Sequence, residues 1–303
     1  MFPSLGHQLA AFGLFGADVV VRAARIRLLV PGTPNLTLRQ AITINAYGDA
    51  ASAVTPARLG GDPARFLGFR RAGVETPRAL AGLAVEALID WVLLALAAVL
   101  LGVAFADTAA AGVARLVPLA TGPTARVLIA AVLALALVSA ALALWYRRRH
   151  PLPLPGGGSA SWAASLAGTW RHARGLGGRT VMLAAALTTL SMAARTAILP
   201  VLAAGLPGLD PRAVILGSFA LLYGQLALPT PAGAGAVELG FVGGFAESMS
   251  PRALAALLLA WRLYTLILGA ALGGVLVATT ALGAWLRRRR SGATSSVNVR
   301  SQP

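Results

Sequence analysis

The sequence predicts an all-α polytopic membrane protein, built as an inverted-topology repeat with a re-entrant helical hairpin in each half. Three observations lead to this fold class. The 303-residue chain is 57% hydrophobic and 12% charged, with a mean hydropathy of +0.74, and several apolar windows reach the ~20 residues that a helix needs to cross a bilayer. Arginines are distributed unevenly between the loops. Short motifs also recur at a nearly constant separation.

Five apolar segments are long enough to cross a membrane. They cover residues 6–21, 79–105, 124–146, 180–204 and 252–286. Two further apolar stretches, 38–54 and 212–228, are too short or too broken to span, and each ends beside a proline. The N-terminus has no basic region and no small-residue cleavage site before its apolar run, so no cleaved signal peptide is predicted.

Arginine placement predicts the orientation in the cytoplasmic membrane. All 26 basic residues are arginines. Four of them (Arg115, Arg126, Arg212, Arg252) fall on one side of the membrane, Arg195 and Arg262 fall within spans, and the rest, including Arg22 and Arg25, fall on the other side. The positive-inside rule makes the richer side cytoplasmic, and with it the C-terminus.

The same orientation predicts two re-entrant hairpins. The chain is cytoplasmic at Arg39 and again at Arg70, so hairpin 38–70 enters the membrane and returns. Arg212 and Arg252 both lie outside, so hairpin 212–249 enters from the opposite face. Irregular backbone at membrane depth must be buried in protein or line a cavity.

An internal repeat supports this arrangement. G-x-P-x-L-x-x-R occurs at 32–39 and 205–212, TPARLGG at 55–61 matches TPAGAGA at 230–236, and PRALAGL at 77–83 matches PRALAAL at 251–257. The separations are 173, 175 and 174 residues. Three crossings lie between the two copies, which inverts the second one, as in many transporters.

These features divide the chain into four parts. Residues 1–105 form the first repeat and 180–286 the second. The linker, 106–179, carries span 124–146 and a helix at 160–176 that is expected to lie in the membrane interface, with an ordinary loop as the alternative. Residues 287–303 are expected to form a disordered cytoplasmic tail.

Six ionisable residues are candidates for binding a substrate at membrane depth, where a charge usually has a partner or a task. They are Arg58, Glu86, Asp90, Arg195, Glu238 and Arg262. One interpretation pairs Glu86 or Asp90 with Arg262 or Arg195, and Glu238 with another arginine. The other interpretation has the arginines bind a lipid phosphate, since arginine forks fit phosphate bidentately.

Proline, glycine and threonine are expected to shape the two hairpin tips. The residues concerned are Thr55, Pro56, Gly60, Pro229, Thr230, Pro231, Gly233 and Gly235. Prolines and glycines break helices, and glycines also allow close packing or a turn with positive φ.

Several kinds of chemistry are not expected. The chain has no cysteine, and its three histidines do not cluster, so neither a metal site, a cofactor nor a catalytic constellation is predicted. The net charge of +16 is explained by membrane topology rather than by nucleic acid binding, because the arginines flank apolar spans.

The motifs resemble those of a known family. TPARLGGDPARFLGFRRAG resembles the P-x-R-x-G segment, and LPTPAGAGAVELG the P-x-P-G-G-x-G-x-x-E segment, of the lysylphosphatidylglycerol synthase transmembrane-domain family, also called flippase-like proteins. Glu86, Asp90 and Arg262 fit its charged positions. Ala232 departs from the usual glycine, the N-terminus is shorter than expected by about one helix, and no soluble aminoacyl-transfer domain follows Arg290, so synthase activity is not carried over.

The resemblance implies translocation of an anionic, modified or polyprenyl-linked lipid across the cytoplasmic membrane, with membrane lipids and a lipid-synthesis enzyme as partners. Two alternatives remain open at this point. One is a secondary transporter of a small anionic solute, which the repeat also permits. The other is an accessory membrane subunit of lipid or cell-envelope synthesis. The sequence does not predict an oligomeric state.

Overall fold

The computed structural model describes residues 3–31, 36–121, 149, 159–228 and 230–298, and these residues form a helical bundle. Its helices are α1 (Leu5–Leu29), α2 (Leu38–Val54), α3 (Gly61–Arg71), α4 (Thr76–Ala104), α5 (Ala106–Thr121), α6 (Ser159–Gly175), α7 (Gly178–Ala203), α8 (Pro211–Gly224), α9 (Ala236–Phe245), α10 (Pro251–Arg262) and α11 (Leu268–Asn298). A π-helical turn, Leu263–Ile267, joins α10 to α11.

Three segments among the described residues are long and apolar enough to cross a membrane: Thr76–Ala104, Gly178–Ala203 and Pro251–Gly283. They confirm three of the predicted spans within a few residues at each end. Helix α1 has 25 residues but is not one of the three, because four charged side chains lower its hydropathy. The predicted span at 124–146 and Pro229 lie outside the described residues.

Local signals fix where several helices begin. Thr37 and Gln40 form a capping box at the start of α2: the Gln40 amide donates to Thr37 Oγ1 (3.2 Å) and the Thr37 amide donates to Gln40 Oε1 (2.8 Å). This box satisfies two backbone donors that have no partner inside the helix. Pro77 and Pro251 occupy the first turns of α4 and α10, where a missing amide proton costs nothing.

Each half of the chain has its own apolar core. In the first half, Ile26, Ile44, Phe69 and Val74 pack between α1, α2, α3 and the loop before α4. The second half is packed around Trp261, which is fully buried. Helix α1 lies along α7, and α2 packs against α11, so the two halves are joined through these pairs.

The two proline-containing motifs fold into matching turns. The Arg58 amide donates to the Thr55 carbonyl (3.2 Å), and the Gly233 amide donates to the Thr230 carbonyl at the same distance. Residues with positive φ follow the proline in both turns: Ala57 and Arg58 in the first, and Ala232 and Gly233 in the second. Proline followed by a residue with positive φ is typical of a type II turn. The two turns also touch, because Pro56 and Pro231 form an isolated antiparallel bridge.

The structure describes helices in two regions of the predicted domain division: the linker and the C-terminal tail. A helix occupies Ser159–Gly175, and its position in the membrane interface stays a prediction. Leu166 and Trp170 are exposed on it, and the Arg174 guanidinium lies 4.7 Å from the centre of the Trp170 ring. Helix α11 continues to Asn298. A helix that is already nucleated extends at low cost, since each added residue gains a hydrogen bond.

Close packing of α2 against α11 depends on a glycine. A Cβ atom at Gly273 would lie 1.9 Å from the Ala46 carbonyl oxygen, so alanine there would force the two helices apart. We expect Gly273→Ala to lower the stability in detergent by about 1–3 kcal/mol, the usual cost of overpacking. The measurement is thermal unfolding followed by circular dichroism.

The matched control for this prediction is Gly274→Ala. Gly274 is exposed, and a Cβ there would meet no atom within 4 Å. Both replacements raise the helix propensity equally, so the difference between them isolates the clash. Equal melting temperatures for the two variants would contradict the close contact.

Candidate functional site

A cavity of about 400 Å³ lies within the bundle, where α1, α2, α3, α4, α7 and α8 converge. Its lining is unusually charged for an apolar protein. The charged residues that line it are Arg22, Arg25, Asp49, Arg58, Asp62, Arg65, Glu86, Asp90 and Arg195. A charge inside a membrane protein is costly unless it has a partner or a task. The partners of each of these side chains are therefore described below.

The first charged group is centred on Arg25, which is 5% exposed. Its guanidinium donates to the carboxylates of Glu86 and Asp90 on α4, and to Thr188 Oγ1 on α7 (2.6 Å). Glu86 is 3% exposed and also accepts from Arg65 on α3. This network therefore joins α1, α3, α4 and α7 around the cavity.

The second charged group is centred on Arg22. Its two terminal nitrogens donate to the two carboxylate oxygens of Asp49 on α2 (2.9 and 2.8 Å). Arg22 Nε also lies 3.0 Å from a carboxylate oxygen of Asp18, one turn earlier on α1. Asp18 in turn accepts a hydrogen bond from Ser191 Oγ on α7. Parallel bonds of the Arg22–Asp49 kind fix the geometry of both side chains.

Two arginines of the cavity differ from the others. Among the described residues, neither Arg58 nor Arg195 has a carboxylate within ion-pair distance. Arg195 Nη2 donates instead to the Thr265 carbonyl (3.1 Å), which lies in the π-helical turn. Both side chains are half-buried. The Asp49 carboxylate, which pairs with Arg22, attracts both of them without forming an ion pair with either.

The backbone around Arg58 is held in an uncommon conformation. Arg58 has a φ of 58° and Ala57 a φ of 48°, the left-handed region that side chains other than glycine rarely adopt. Thr55 Oγ1 stabilises the turn by accepting from the Gly60 amide (2.9 Å) and donating to the Ala51 carbonyl (2.8 Å). A Cβ at Gly60 would lie 2.7 Å from Thr55 Cγ2, so this position favours glycine.

The second turn is supported differently. Arg262 donates from Nε and Nη2 to Glu238 Oε1 (3.0 and 2.6 Å) and from Nη1 to the Ala232 carbonyl (3.0 Å). The other oxygen of Glu238 accepts from the Gly235 amide (2.7 Å). Arg262 and Glu238 thus brace the turn that contains Ala232, and neither lines the large cavity.

The structure brings four of the six predicted substrate residues together: Arg58, Glu86, Asp90 and Arg195 all line the cavity. Glu238 and Arg262 pair with each other at the second turn. Glu86 and Asp90 do have arginine partners, but their shared partner is Arg25, not Arg195 or Arg262.

Five charged residues that line the cavity were not predicted as site residues: Arg22, Arg25, Asp49, Asp62 and Arg65. Asp18, which contacts Arg22, was not predicted either. One signal for them was present in the sequence. Asp18, Arg22 and Arg25 are spaced four and three residues apart, so they lie on one face of an apolar helix.

The cavity opens past an apolar rim. Leu59 of the first turn is 74% exposed and Trp91 of α4 is 61% exposed, and both line the cavity. Beyond Trp91, Val92, Val99 and Val103 are exposed along α4. The chamber is therefore charged inside, and its edge carries apolar side chains beside the exposed carboxylate of Asp62.

Fold and cavity together define a helical membrane protein with a charged chamber inside its bundle. Among the described residues, no group of three or more carboxylate or histidine side chains is placed to hold a metal ion. The chain belongs to the family of the lysylphosphatidylglycerol synthase TM region, whose sequence model matches residues 4–273. Comparison with curated proteins and with solved structures found no match.

Proposed function

We propose that this protein translocates a lipid across the cytoplasmic membrane, with the polar headgroup entering the charged cavity and the acyl or prenyl chains remaining outside the bundle. The observation that carries the proposal is the rim: Leu59 and Trp91 are exposed apolar side chains that line the same cavity as the charged residues. A water-soluble solute gains nothing from such an edge, whereas a lipid needs both environments at once.

Energetics favour a shielded path of this kind. Moving a charged group to the centre of a bilayer costs at least about 2.5–3.5 kcal/mol on insertion scales. Inside the cavity, hydrogen-bonding side chains replace the water that the headgroup loses. The exposed valines of α4 beyond Trp91 offer the chains a surface as apolar as the membrane. Membership of a lipid-related family supports the same function.

An inverted repeat fits the contacts between the two halves. In a two-fold arrangement, a residue touches its own equivalent only close to the symmetry axis. Pro56 and Pro231 are 175 residues apart and form a bridge, and Asp18 and Ser191 are 173 apart and share a hydrogen bond. Both separations lie in the 173–175 range of the sequence motifs, which supports an axis passing between α1 and α7 and between the two turns.

We further propose that α2–α3 and α8–α9 are the two re-entrant hairpins, and that their tips separate the two sides of the membrane. The cavity reaches Ala57 and Arg58 of the first turn, while its lining on the other half comes from residues before the second turn, such as Tyr223 and Leu226. The arrangement fits a state open to one side only. The arginine distribution assigns that side to the cytoplasm, and single-cysteine labelling of the cysteine-free chain reads the orientation directly.

The test is a translocation assay in liposomes. The purified protein is reconstituted with a trace of phospholipid bearing a fluorophore on its acyl chain, and a membrane-impermeant reductant bleaches the outer leaflet. We expect the protein to increase the fraction of lipid that becomes accessible, and Trp91→Gln to slow this process on the order of fivefold, a change of about 1 kcal/mol in the barrier.

Trp170→Gln is the matched control, because Trp170 is equally exposed but lies on α6, away from the cavity. Its rate should equal that of the natural chain. If no phospholipid or polyprenyl phosphate moves faster than in protein-free liposomes, while a soluble anion is taken up, the protein is a solute transporter and the proposal fails.

A further inference from the structure

We infer that Arg58 and Arg195 form a binding site for a terminal phosphate group, that is, a phosphomonoester rather than a phosphodiester. The inference rests on the proposed function when the phosphate belongs to the transported lipid. It also covers free inorganic phosphate, which carries the same chemistry. Four observations lead to it. The two arginines form no ion pair, they line the same cavities, their side chains keep unused N–H donors, and two guanidinium groups together contact several phosphate oxygens.

Only these two arginines of the cavity are available to an anion among the residues that the structure describes. Each of the other three is already held by two carboxylates. Arg22 contacts Asp18 and Asp49, Arg25 contacts Glu86 and Asp90, and Arg65 contacts Glu86 and Asp62. An entering anion would have to break those pairs, at a cost of several kcal/mol for a buried pair. Arg58 and Arg195 form no ion pair that must be broken, and the nearby Asp49 is already paired with Arg22.

The two side chains share one location although they are far apart in sequence. Both line the large cavity, and both also line a second cavity of about 10 Å³ behind it. A space of that size holds about one water molecule, so Arg58 and Arg195 lie near each other, with Asp18 and Asp49 lining the same space. Like charges at close range repel each other, and the repulsion is strong where little water screens it. An anion placed between them removes this cost.

Both arginines are held by contacts that use few of their side-chain N–H donors. Arg195 uses Nη2 for the Thr265 carbonyl; π-helical turns are frequent at functional sites, and this one places a carbonyl oxygen toward α7. Arg58 is fixed through its backbone, since the Ser52 hydroxyl contacts its carbonyl (3.4 Å) and its amide donates to the Thr55 carbonyl. Arginine has five N–H donors, so both side chains retain several for a ligand.

Counting oxygens selects the class of phosphate. A guanidinium binds phosphate best with two parallel N–H···O bonds to two oxygens. Two guanidinium groups that bind in this way use three oxygens when they share one. With only two oxygens, each oxygen must accept a hydrogen bond from both groups. A phosphodiester offers two oxygens that are not esterified, whereas a phosphomonoester offers three and carries a charge close to −2 at neutral pH. The charge also matches the two arginines that form no ion pair.

The experiment compares three probes on the purified full-length chain in detergent at about pH 8: phosphatidate, phosphatidylglycerol with the same acyl chains, and inorganic phosphate. Binding is measured by native mass spectrometry or by the rise in melting temperature. We expect phosphatidate to bind about tenfold more tightly than phosphatidylglycerol, the equivalent of one net charge-assisted contact. The preference should disappear in both Arg58→Ala and Arg195→Ala.

Lysine variants separate the effect of the positive charge from that of bidentate binding by the guanidinium group. Lysine keeps the positive charge but cannot bind bidentately, so Arg58→Lys and Arg195→Lys should still bind both lipids yet lose the preference for phosphatidate. Arg212→Ala is the matched control, because Arg212 is exposed at the start of α8 and lies outside the cavity, and it should keep the tenfold preference.

The source of the phosphate is read from the third probe. Competition by millimolar inorganic phosphate that depends on Arg58 supports a site that recognises phosphate alone, and phosphatidate binding without such competition supports a lipid site. Equal affinity for the two lipids, or a preference that survives in the lysine variants, overturns the inference even if lipids are still translocated. Conversely, phosphatidate selectivity without any translocation contradicts the proposed function and leaves the site standing.

Discussion

Replacing Arg25 by methionine should lower the free energy of unfolding by about 3–5 kcal/mol, the typical loss when one partner of a buried ion pair is removed. Methionine has similar length but no charge, so Asp90 loses its arginine and Glu86 keeps only Arg65. Glu86 is 3% exposed, which prevents water from replacing the lost contact. The measurement is reversible unfolding in mixed micelles, followed by circular dichroism.

A control two residues further along the same helix isolates the role of burial. Arg27 is exposed and its Nε donates to the Leu36 carbonyl (2.9 Å), so Arg27→Met should cost about 0.5–1.5 kcal/mol, the value of a single hydrogen bond. Adding Glu86→Gln to Arg25→Met should recover part of the stability, since one unpaired charge is removed. Equal losses for Arg25→Met and Arg27→Met would show that the buried network contributes nothing specific.

The Arg25 network also marks a limit of what the sequence predicts. The sequence predicted apolar spans that match the long apolar helices Thr76–Ala104, Gly178–Ala203 and Pro251–Gly283 within a few residues, because hydropathy depends only on local composition. Arg22 and Arg25 were placed with the cytoplasmic arginines, because an arginine near the end of a span has the same pattern whether it reaches toward water or into the bundle. Only the packing of α1 against α7 distinguishes these cases.

The sequence also did not predict which arginine pairs with Glu86 and Asp90. That Glu86 and Asp90 share a face of α4 followed from their spacing of four residues. Their partner lies 61 and 65 residues earlier in the chain, and nothing local selects Arg25 over the arginines of α7 or α10. By contrast, the match between TPARLGG and TPAGAGA predicted equivalent turns, and both turns do have positive φ after the proline.

Contact between those two turns leads to the prediction with the largest effect on function. A disulfide between cysteines at positions 56 and 231 should nearly abolish lipid translocation, because on the proposed pathway the two tips must part before the cavity can open to the other side. Pro56 and Pro231 face each other in an antiparallel bridge, where Cα atoms lie about 4.5–5.5 Å apart. That range falls within the Cα separation of disulfides.

The experiment starts from a chain without cysteine, so Pro56→Cys/Pro231→Cys forms at most one intramolecular bond, seen as a shift in mobility on a non-reducing gel. Translocation is measured in liposomes before and after reduction. Each single-cysteine variant shows how much the translocation rate falls when one turn proline is lost. Reduction of the double variant should return its translocation rate to that of the slower single variant. Full activity in the oxidised protein would mean that the tips stay together while lipids cross, and the pathway would then have to run along the outside of the bundle rather than between the two turns.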